Sequence, residues 1–389
     1  MSSPIIQMYT PLRDYAENRD KYQQAINTVL EHGLFINGPE ISELEDKLAS
    51  YSDVKHCVAL SSGTDALLVA LMALGVKPGD EVITVAHTWI STAEVISVLG
   101  AKPVFVDIHR DTFLMDLQEI DNLMETKVKN GEKMPVGMIY VSLYGQMQDP
   151  RDVMKIAKKW NMWCIDDGAQ AFGAEFVADD GSVVRCGGWG DVSCTSFFPS
   201  KPLGGYGDSG ACFTNDDELD LKLKAIRNHG GLKRFHHTLV GLNARMDTIQ
   251  AAVLLVKFDV FCSEDGLEKR RQIADYYDRG LSNIDGLVIP KRIEGVKHAW
   301  AQYTMLVTKN GVKRDDVVEA LKERGINVAV FYPKGLHEQV AFDQIGQNYL
   351  PNTEWVCDHV LNLPLFPELT EEELSRIVKS VKEIMNNLE

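Results

Sequence analysis

Short apolar segments alternate with helix-like segments over the first two thirds of this 389-residue chain. The apolar segments at 57–60, 81–85, 103–107, 136–141 and 163–166 have the length of strands and are rich in valine and isoleucine. The segments between them have turn residues or the apolar spacing of a helix. This βαβ alternation predicts an α/β fold in which helices cover both faces of a mostly parallel sheet.

The composition changes near residue 260. Residues 267–281 and 315–323 have the spacing of amphipathic helices, and 300–307 has the pattern of a half-buried strand. We therefore expect a large domain over 1–260 and a smaller C-terminal α/β domain over 261–389.

Charge and hydropathy exclude several classes of function. The formal net charge of −16 argues against nucleic acid as a partner. No apolar run reaches the roughly 20 residues needed to span a bilayer, so we expect no membrane association. The N-terminus lacks the basic and apolar regions of a signal peptide, which predicts a cytoplasmic protein. The cysteines form no C-x-x-C pair, and His236–His237 lacks a further histidine at helical spacing, so no metal site is predicted.

One lysine and one acidic pair indicate the chemistry. Lys201 lies between a strand-like run at 193–198 and a glycine-rich turn at 204–207, whereas a lysine after a strand is ordinarily a solvated surface residue. Asp166 and Asp167 end an apolar strand and point to opposite faces of the sheet. A pyridoxal 5′-phosphate enzyme needs a lysine for the Schiff base and a carboxylate beside the pyridinium nitrogen. These residues predict that cofactor.

A phosphate site is predicted where a strand turns into a helix. Gly63 and Thr64 open a helix rich in Ala and Leu. Backbone N–H groups at a helix N-terminus and a small hydroxyl beside them bind phosphate. The same Ser-Gly-Thr sequence is also common as a plain helix N-cap, so the prediction of a phosphate site depends on the presence of Lys201 in the same chain.

Two segments carry a family resemblance. Residues 195–208, which contain Lys201, and 167–170 are similar to motifs of the DegT/DnrJ/EryC1/StrS family of sugar aminotransferases, and the resemblance extends from 35–40 to 363–370. Within the family, residues 141–146, 194–204 and 243–252 indicate the nearest pattern. The resemblance implies the fold of a fold-type I PLP-dependent transferase, with a large domain and a smaller C-terminal one. It also implies a homodimer with shared active sites.

The resemblance assigns roles around the cofactor. Asp167 would pair with the ring nitrogen, which leaves Asp166 as a solvated or hydrogen-bonded residue at the strand end. Gln170, at the start of a helix, would contact the 3-hydroxyl side, or would be only a polar residue of a helical first turn. Ser196 would contact the phosphate. Trp89 would stack on the ring, with a core tryptophan as the alternative.

Further residues are implied for the partner subunit and the substrates. Asn243 resembles an asparagine that reaches the phosphate of the neighbouring subunit. Arg245 could bind the carboxylate of the amino donor or of a uronic acid. Tyr332 and His337 lie in the segment 328–337, which resembles an element of the family, and the resemblance implies that both residues bind substrate. This chain has Phe331 where that element usually carries histidine, and phenylalanine cannot donate a hydrogen bond.

The resemblance also implies the reaction. L-Glutamate would be the amino donor and a keto nucleotide sugar the acceptor. The nearest pattern is that of enzymes that aminate a UDP-linked 3-keto-2-acetamido-2-deoxy hexuluronate for bacterial surface glycans, including lipopolysaccharide and O-antigen polysaccharides. Amination of a 4-keto-6-deoxy nucleotide sugar remains open, as does a PLP-binding homologue that does not transaminate, such as a dehydratase or a regulator. Some such members carry histidine at the lysine position, so Lys201 argues against them.

Overall fold

The computed structural model describes residues 4–263, 266–346 and 349–388. Thirteen strands lie in these ranges: β1 His56–Leu60, β2 Glu81–Val85, β3 Lys102–Val106, β4 Gly137–Val141, β5 Trp163–Asp167, β6 Glu175–Val177, β7 Val183–Arg185, β8 Val192–Ser196, β9 Gly210–Thr214, β10 Leu287–Val288, β11 Val296–Lys297, β12 Tyr303–Val307 and β13 Val360–Leu363.

Twelve α-helices lie in the same ranges: α1 Leu12–His32, α2 Pro39–Ser52, α3 Gly63–Ala73, α4 Ser91–Val98, α5 Leu117–Asn130, α6 Pro150–Lys159, α7 Asp217–Arg227, α8 Thr248–Ser263, α9 Gly266–Leu281, α10 Arg314–Glu323, α11 Pro351–His359 and α12 Glu371–Asn387. Three short 3₁₀ helices span Leu143–Gly145, Leu336–Glu338 and Val340–Ile345. No described helix has the length and apolar character needed to cross a membrane.

Seven strands form the central sheet in the order β1-β9-β8-β5-β4-β2-β3. The pairs from β8 to β3 are parallel, whereas β9 runs antiparallel to both β8 and β1. This arrangement confirms the predicted α/β fold with a mostly parallel sheet. Because β1, β2, β4, β5 and β8 share one direction, their carboxyl ends meet at one edge, where ligands bind in open α/β sheets.

Apolar side chains on both faces of the sheet bury it between helices. On one face, β1, β2 and β4 contribute Val58, Val82 and Ile139 to a core shared with α3 and α4. On the other face, Ile83 and Met138 pack in a core that includes residues of α5 and α6. Central strands of a parallel sheet are apolar on both faces for this reason, which explains their continuous apolar sequence.

The C-terminal part has a core of its own around the antiparallel sheet β10-β12-β13. Residues of α9, α10 and α12 pack on it, and Thr370 caps α12 through the backbone N–H of Glu373. Ile6 joins this core through a bridge to Ile326, and β11 pairs with β6. These contacts cross residue 260, and the division of the chain at that point stays a prediction.

Candidate active site

Lys201 lies five residues after the end of β8, at the edge where the parallel strands end. Its loop is held by two backbone bonds, from the Lys201 N–H to the carbonyl of Phe198 (2.9 Å) and from the Gly205 N–H to the carbonyl of Phe197 (2.7 Å). Desolvation of the half-buried amine lowers the pKa of Lys201 to about 8, and the charge of Asp167 acts in the opposite direction. A substantial fraction of this amine is therefore neutral and nucleophilic near pH 8.

Asp167 is a buried carboxylate at the end of β5. It accepts hydrogen bonds from the Thr92 hydroxyl (2.7 Å) and the Ala169 N–H (3.2 Å). Burial raises the pKa of Asp167. Among the described residues, no cation forms an ion pair with it, and a pyridinium N–H would supply that charge.

Asp166 points away from Asp167, as the strand alternation predicts. It accepts hydrogen bonds from the hydroxyls of Ser142 and Ser193, each at 2.9 Å. Ser142 follows β4 and Ser193 lies in β8, the two strands that flank β5. The prediction of a hydrogen-bonded residue is confirmed, whereas a solvated one is wrong because the side chain is fully buried. Desolvation raises the pKa of Asp166 to about 7.

The N-terminus of α3 and the end of β8 form one cradle. A Cβ atom on Gly63 would stand 2.7 Å from the Cβ of Ser196, so only glycine allows this approach. Ser62 caps the helix by accepting from the Asp65 N–H at 3.0 Å. The Thr64 hydroxyl contacts the Ser91 hydroxyl at 2.7 Å. Helix N–H groups and small hydroxyls thus converge where the phosphate was predicted.

Trp89 follows β2 with 58% of its surface exposed, which contradicts the alternative of a core tryptophan. The centroid of its ring lies 6.2 Å from that of Tyr332. Gln170 donates to the Tyr332 hydroxyl at 3.1 Å. Gln170 lies in a turn rather than at the start of a helix, because the chain passes from β5 through this turn into β6. An exposed indole at this edge is available for stacking on a bound ring.

Asn243 and Arg245 lie in the segment before α8. Asn243 is exposed, and its backbone bridges Asn228. Arg245 donates to the Asn228 side chain at 2.7 Å and bridges Leu60 at the end of β1, just before the phosphate cradle. Its Nε is buried and has no partner within the described part of the chain, so a ligand oxygen could satisfy it.

His337 lies in the 3₁₀ helix Leu336–Glu338, next to the end of β2, because the Leu336 N–H donates to the carbonyl of Ala86 at 2.8 Å. The ring is buried, and its Nε2 is 3.2 Å from Glu354. Its Nδ1 lacks a partner within the described ranges.

No sequence motif singles out Thr92, His87 and Tyr144 as site residues. The Thr92 hydroxyl donates to Asp167. Nε2 of His87 lies 2.8 Å from the Tyr144 hydroxyl, and the His87 ring packs edge-on against the ring of Tyr332. A usable signal was their position, since each follows the carboxyl end of a parallel strand or opens the helix after it.

The residues fit pyridoxal 5′-phosphate on grounds of their own structure. The cradle between Gly63 and Ser196 suits a phosphate, the unpaired buried Asp167 suits a ring nitrogen that carries a proton, and Lys201 is a nucleophilic amine within range of the charge of Asp167. The fold and the site together define a PLP-dependent enzyme.

Comparison with known proteins agrees with this class. The model of the DegT/DnrJ/EryC1/StrS aminotransferase family matches residues 16–382, and the chain therefore belongs to this family. The predicted resemblance, the enzyme class and the cofactor are thereby confirmed.

Individual relatives cover nearly the whole chain. The UDP-2-acetamido-2-deoxy-3-oxo-D-glucuronate aminotransferase of Pseudomonas aeruginosa is 42% identical over 91% of this chain and 93% of its own. A pleiotropic regulatory protein of Geobacillus stearothermophilus is 40% identical over 97% and 98%. The crystal structure of NtdA from Bacillus subtilis with bound cofactor PMP has a TM-score of 0.87 at 27% identity, covering 99% of this chain and 86% of that one.

Proposed function

We propose that this protein transfers the amino group of L-glutamate to C3 of a UDP-linked 3-keto-2-acetamido-2-deoxy hexuluronate or a close relative. The observation that carries the proposal is the placement of the Lys201 amine near the unpaired buried carboxylate of Asp167 beside the α3 cradle. The identity to the P. aeruginosa aminotransferase over 91% of the chain supports this choice of acceptor.

The bound cofactor supplies an electron sink for the carbon that loses its proton. Asp167 holds the proton on the ring nitrogen, and Thr92 and the Ala169 N–H orient its carboxylate. Lys201 would hold the cofactor covalently in the resting enzyme. When its Nζ is free, it would act as the base that takes the proton from Cα of glutamate and, in the second half-reaction, as the acid that supplies a proton to the sugar carbon.

Three residues serve the substrates in this proposal. Arg245 binds a carboxylate of glutamate or of the uronic acid through its unpartnered Nε. Tyr332, beside Trp89, borders the sugar. His337 offers its Nδ1 to the same substrate while Glu354 holds its other ring nitrogen.

The proposal includes a cytoplasmic homodimer that serves surface-glycan biosynthesis. Asn243 of one subunit completes the phosphate site of the other. The exposure of Asn243 supports this role, as do the exposed apolar side chains of the preceding loop, of which Phe235 and Val240 are 83% and 86% exposed. Exposed apolar side chains clustered in one loop support contact between this loop and a second chain.

Isotope transfer tests the reaction. The enzyme is incubated with L-[¹⁵N]glutamate and each of a panel of 3-keto and 4-keto nucleotide sugars, and the products are analysed by NMR. We expect ¹⁵N at C3 of the uronic acid, and none with Lys201→Ala. Nitrogen at C4 of a 6-deoxy sugar would establish the alternative acceptor, and no transfer to any sugar would contradict both.

A regulatory homologue without turnover is the second candidate, because one relative is named as a regulatory protein. Single-turnover spectroscopy separates the two cases. An aminotransferase loses the visible band of its lysine-bound cofactor when glutamate is added, whereas a cofactor-binding regulator would retain it.

A further inference from the structure

A chain of buried hydrogen bonds lies beneath Tyr332 and joins three separate elements. The Cys357 Sγ in α11 is 3.4 Å from Nδ1 of His87, which follows β2. Nε2 of His87 is 2.8 Å from the hydroxyl of Tyr144, in the turn after β4. That hydroxyl donates to the carbonyl of Phe331. Cys357, His87 and Tyr144 are all buried.

The direction of this chain follows from the number of protons. A carbonyl only accepts, so the single proton of the Tyr144 hydroxyl is used on Phe331. Tyr144 must then accept from the Nε2–H of His87. Burial lowers the pKa of His87 to about 3, so the ring is neutral and carries that one proton. Nδ1 therefore accepts, and the thiol of Cys357 donates to it.

The main chain of Phe331 is bound from both sides. Its N–H donates to Oδ1 of Asn362 at 2.9 Å, while its carbonyl accepts from Tyr144. The N–H of Tyr144 also donates to Gln170 at 2.8 Å, and Gln170 in turn donates to the Tyr332 hydroxyl at 3.1 Å. Tyr144 thus binds the main chain next to Tyr332 directly, and it is linked to the Tyr332 hydroxyl through Gln170.

We propose that Cys357, His87 and Tyr144 are positioning residues that hold Tyr332 in place for the acceptor sugar. Tyr332 stands beside the exposed Trp89, and so at the open side of the site, where a large nucleotide sugar has to enter. Residue 331 takes part through its main chain, so the chain of bonds works with phenylalanine at that position. The kinetic part of this inference rests on the proposed function.

The proton positions can be measured without turnover. Long-range ¹H–¹⁵N NMR on the holoenzyme labelled with [¹⁵N]histidine, with His87→Gln to assign the signal, reports the tautomer. We expect the Nε2–H tautomer of His87 between pH 6 and 8, and conversion to a mixed or Nδ1–H form in Tyr144→Phe. A wild-type Nδ1–H tautomer or a charged ring would overturn the chain of bonds, whatever the reaction proves to be.

The positioning role is tested by measuring the two half-reactions separately. Loss of a buried hydrogen bond corresponds to about a tenfold effect, so His87→Leu should raise the KM for the keto sugar about tenfold relative to any change in the glutamate half-reaction. His87→Gln should restore most of this, because its amide can accept from Cys357 and donate to Tyr144. Equal behaviour of the two variants, or equal loss in both half-reactions, would overturn the role.

Two smaller substitutions, each of a buried cysteine to alanine, separate the loss of the hydrogen bond from a general loss of stability. Cys357→Ala removes the first donor, and Cys57→Ala removes a buried thiol of the same size from the edge strand β1. We expect the KM for the sugar to rise at least threefold more in Cys357→Ala than in Cys57→Ala, in line with a weak S–H donor. Equal KM values would overturn the role of Cys357. A wild type that aminates no sugar would contradict the proposed function, and the tautomer would still decide the hydrogen-bond chain.

Discussion

Two adjacent carboxyl groups at the end of β5 have different environments. Asp167 binds Thr92 and lies within range of the charge of Lys201, while Asp166 accepts from serine hydroxyls on the opposite face. The sequence predicts this division because side chains alternate along a strand. It could not predict that Asp166 is buried, because its donors Ser142 and Ser193 come from 24 and 27 residues away.

The difference between the two carboxyl groups predicts unequal variants. Asp167→Asn should reduce the rate of amino transfer by ~10²-fold or more, because a positioned charge beside the ring nitrogen is lost. Asp166→Asn should lower this rate at least tenfold less, since the Asp166 carboxylate is bound by Ser142, Ser193 and the Cys186 thiol on the opposite face of β5. Single-turnover rates with glutamate measure both. A larger loss in Asp166→Asn would mean that the faces of β5 are assigned the wrong way round.

The pKa of Lys201 predicts a pH dependence for cofactor capture. Only the neutral amine attacks the cofactor aldehyde, so the rate of capture by the apoenzyme should rise with pH and level off above about 8. Stopped-flow absorbance measures this profile. The charge of Asp167 raises the pKa of Lys201, so Asp167→Asn should move the midpoint to lower pH. A midpoint near the ordinary lysine value of 10.5 would contradict the desolvated amine.

The same pKa has a consequence for the stability of the apoenzyme. Between pH 8 and 10.5 the folded protein binds fewer protons at Lys201 than the unfolded chain does. Lys201 therefore lowers the free energy of unfolding below pH 8, and this destabilisation disappears as the pH rises from 8 to 10.5.

At the scale of elements, the site depends on strand ends and one helix start. The alternation of apolar and helical segments predicts β1 to β5, β8 and β12, the turn at Gly63 and the position of Lys201 after β8, but not the remaining six described strands. It did not predict the turn at Gln170, because the helical signal there is overridden by the return of the chain into β6. It left open whether Trp89 lies in the core, since local sequence does not determine which neighbours cover a side chain.

The close approach of α3 to β8 makes Gly63 a sharp test of the cradle. Gly63→Ala places a methyl group 2.7 Å from Cβ of Ser196, so one of the two elements has to shift. We expect the Kd for pyridoxal phosphate to rise ~10-fold or more, measured by fluorescence titration of the apoenzyme. Gly266→Ala is the control, because it also alters the first residue of a helix but meets atoms no closer than 3.7 Å. Equal affinities would contradict a phosphate at this cradle.

At the scale of the whole molecule, the two parts of the chain meet around the site. The bond from Tyr144 to Phe331 joins residues 187 positions apart, so no local pattern could reveal it. The predicted fold and Lys201 follow from local periodicity and motif chemistry. The pairing of distant polar groups follows from how the C-terminal part packs on the central sheet.

The shared-site homodimer predicts complementation between inactive chains. Asn243→Ala and Lys201→Ala subunits are each expected to give dimers of low or no activity. In a mixed dimer, both lesions fall in one site and the other site is intact, so up to about half of wild-type activity should return, by counting sites under two-fold symmetry. The mixed dimer is purified with two different affinity tags. If it is as inactive as its parents, Asn243 acts within its own chain.

We expect Lys201 to be the residue that binds the cofactor covalently. The holoenzyme is reduced with borohydride, which converts the lysine–cofactor linkage into a stable amine, and is then digested and analysed by mass spectrometry. We predict the phosphopyridoxyl mass on the peptide that contains Lys201, in one copy per chain. The same label on another lysine, or no label on a holoenzyme that shows the visible cofactor band, would contradict the account.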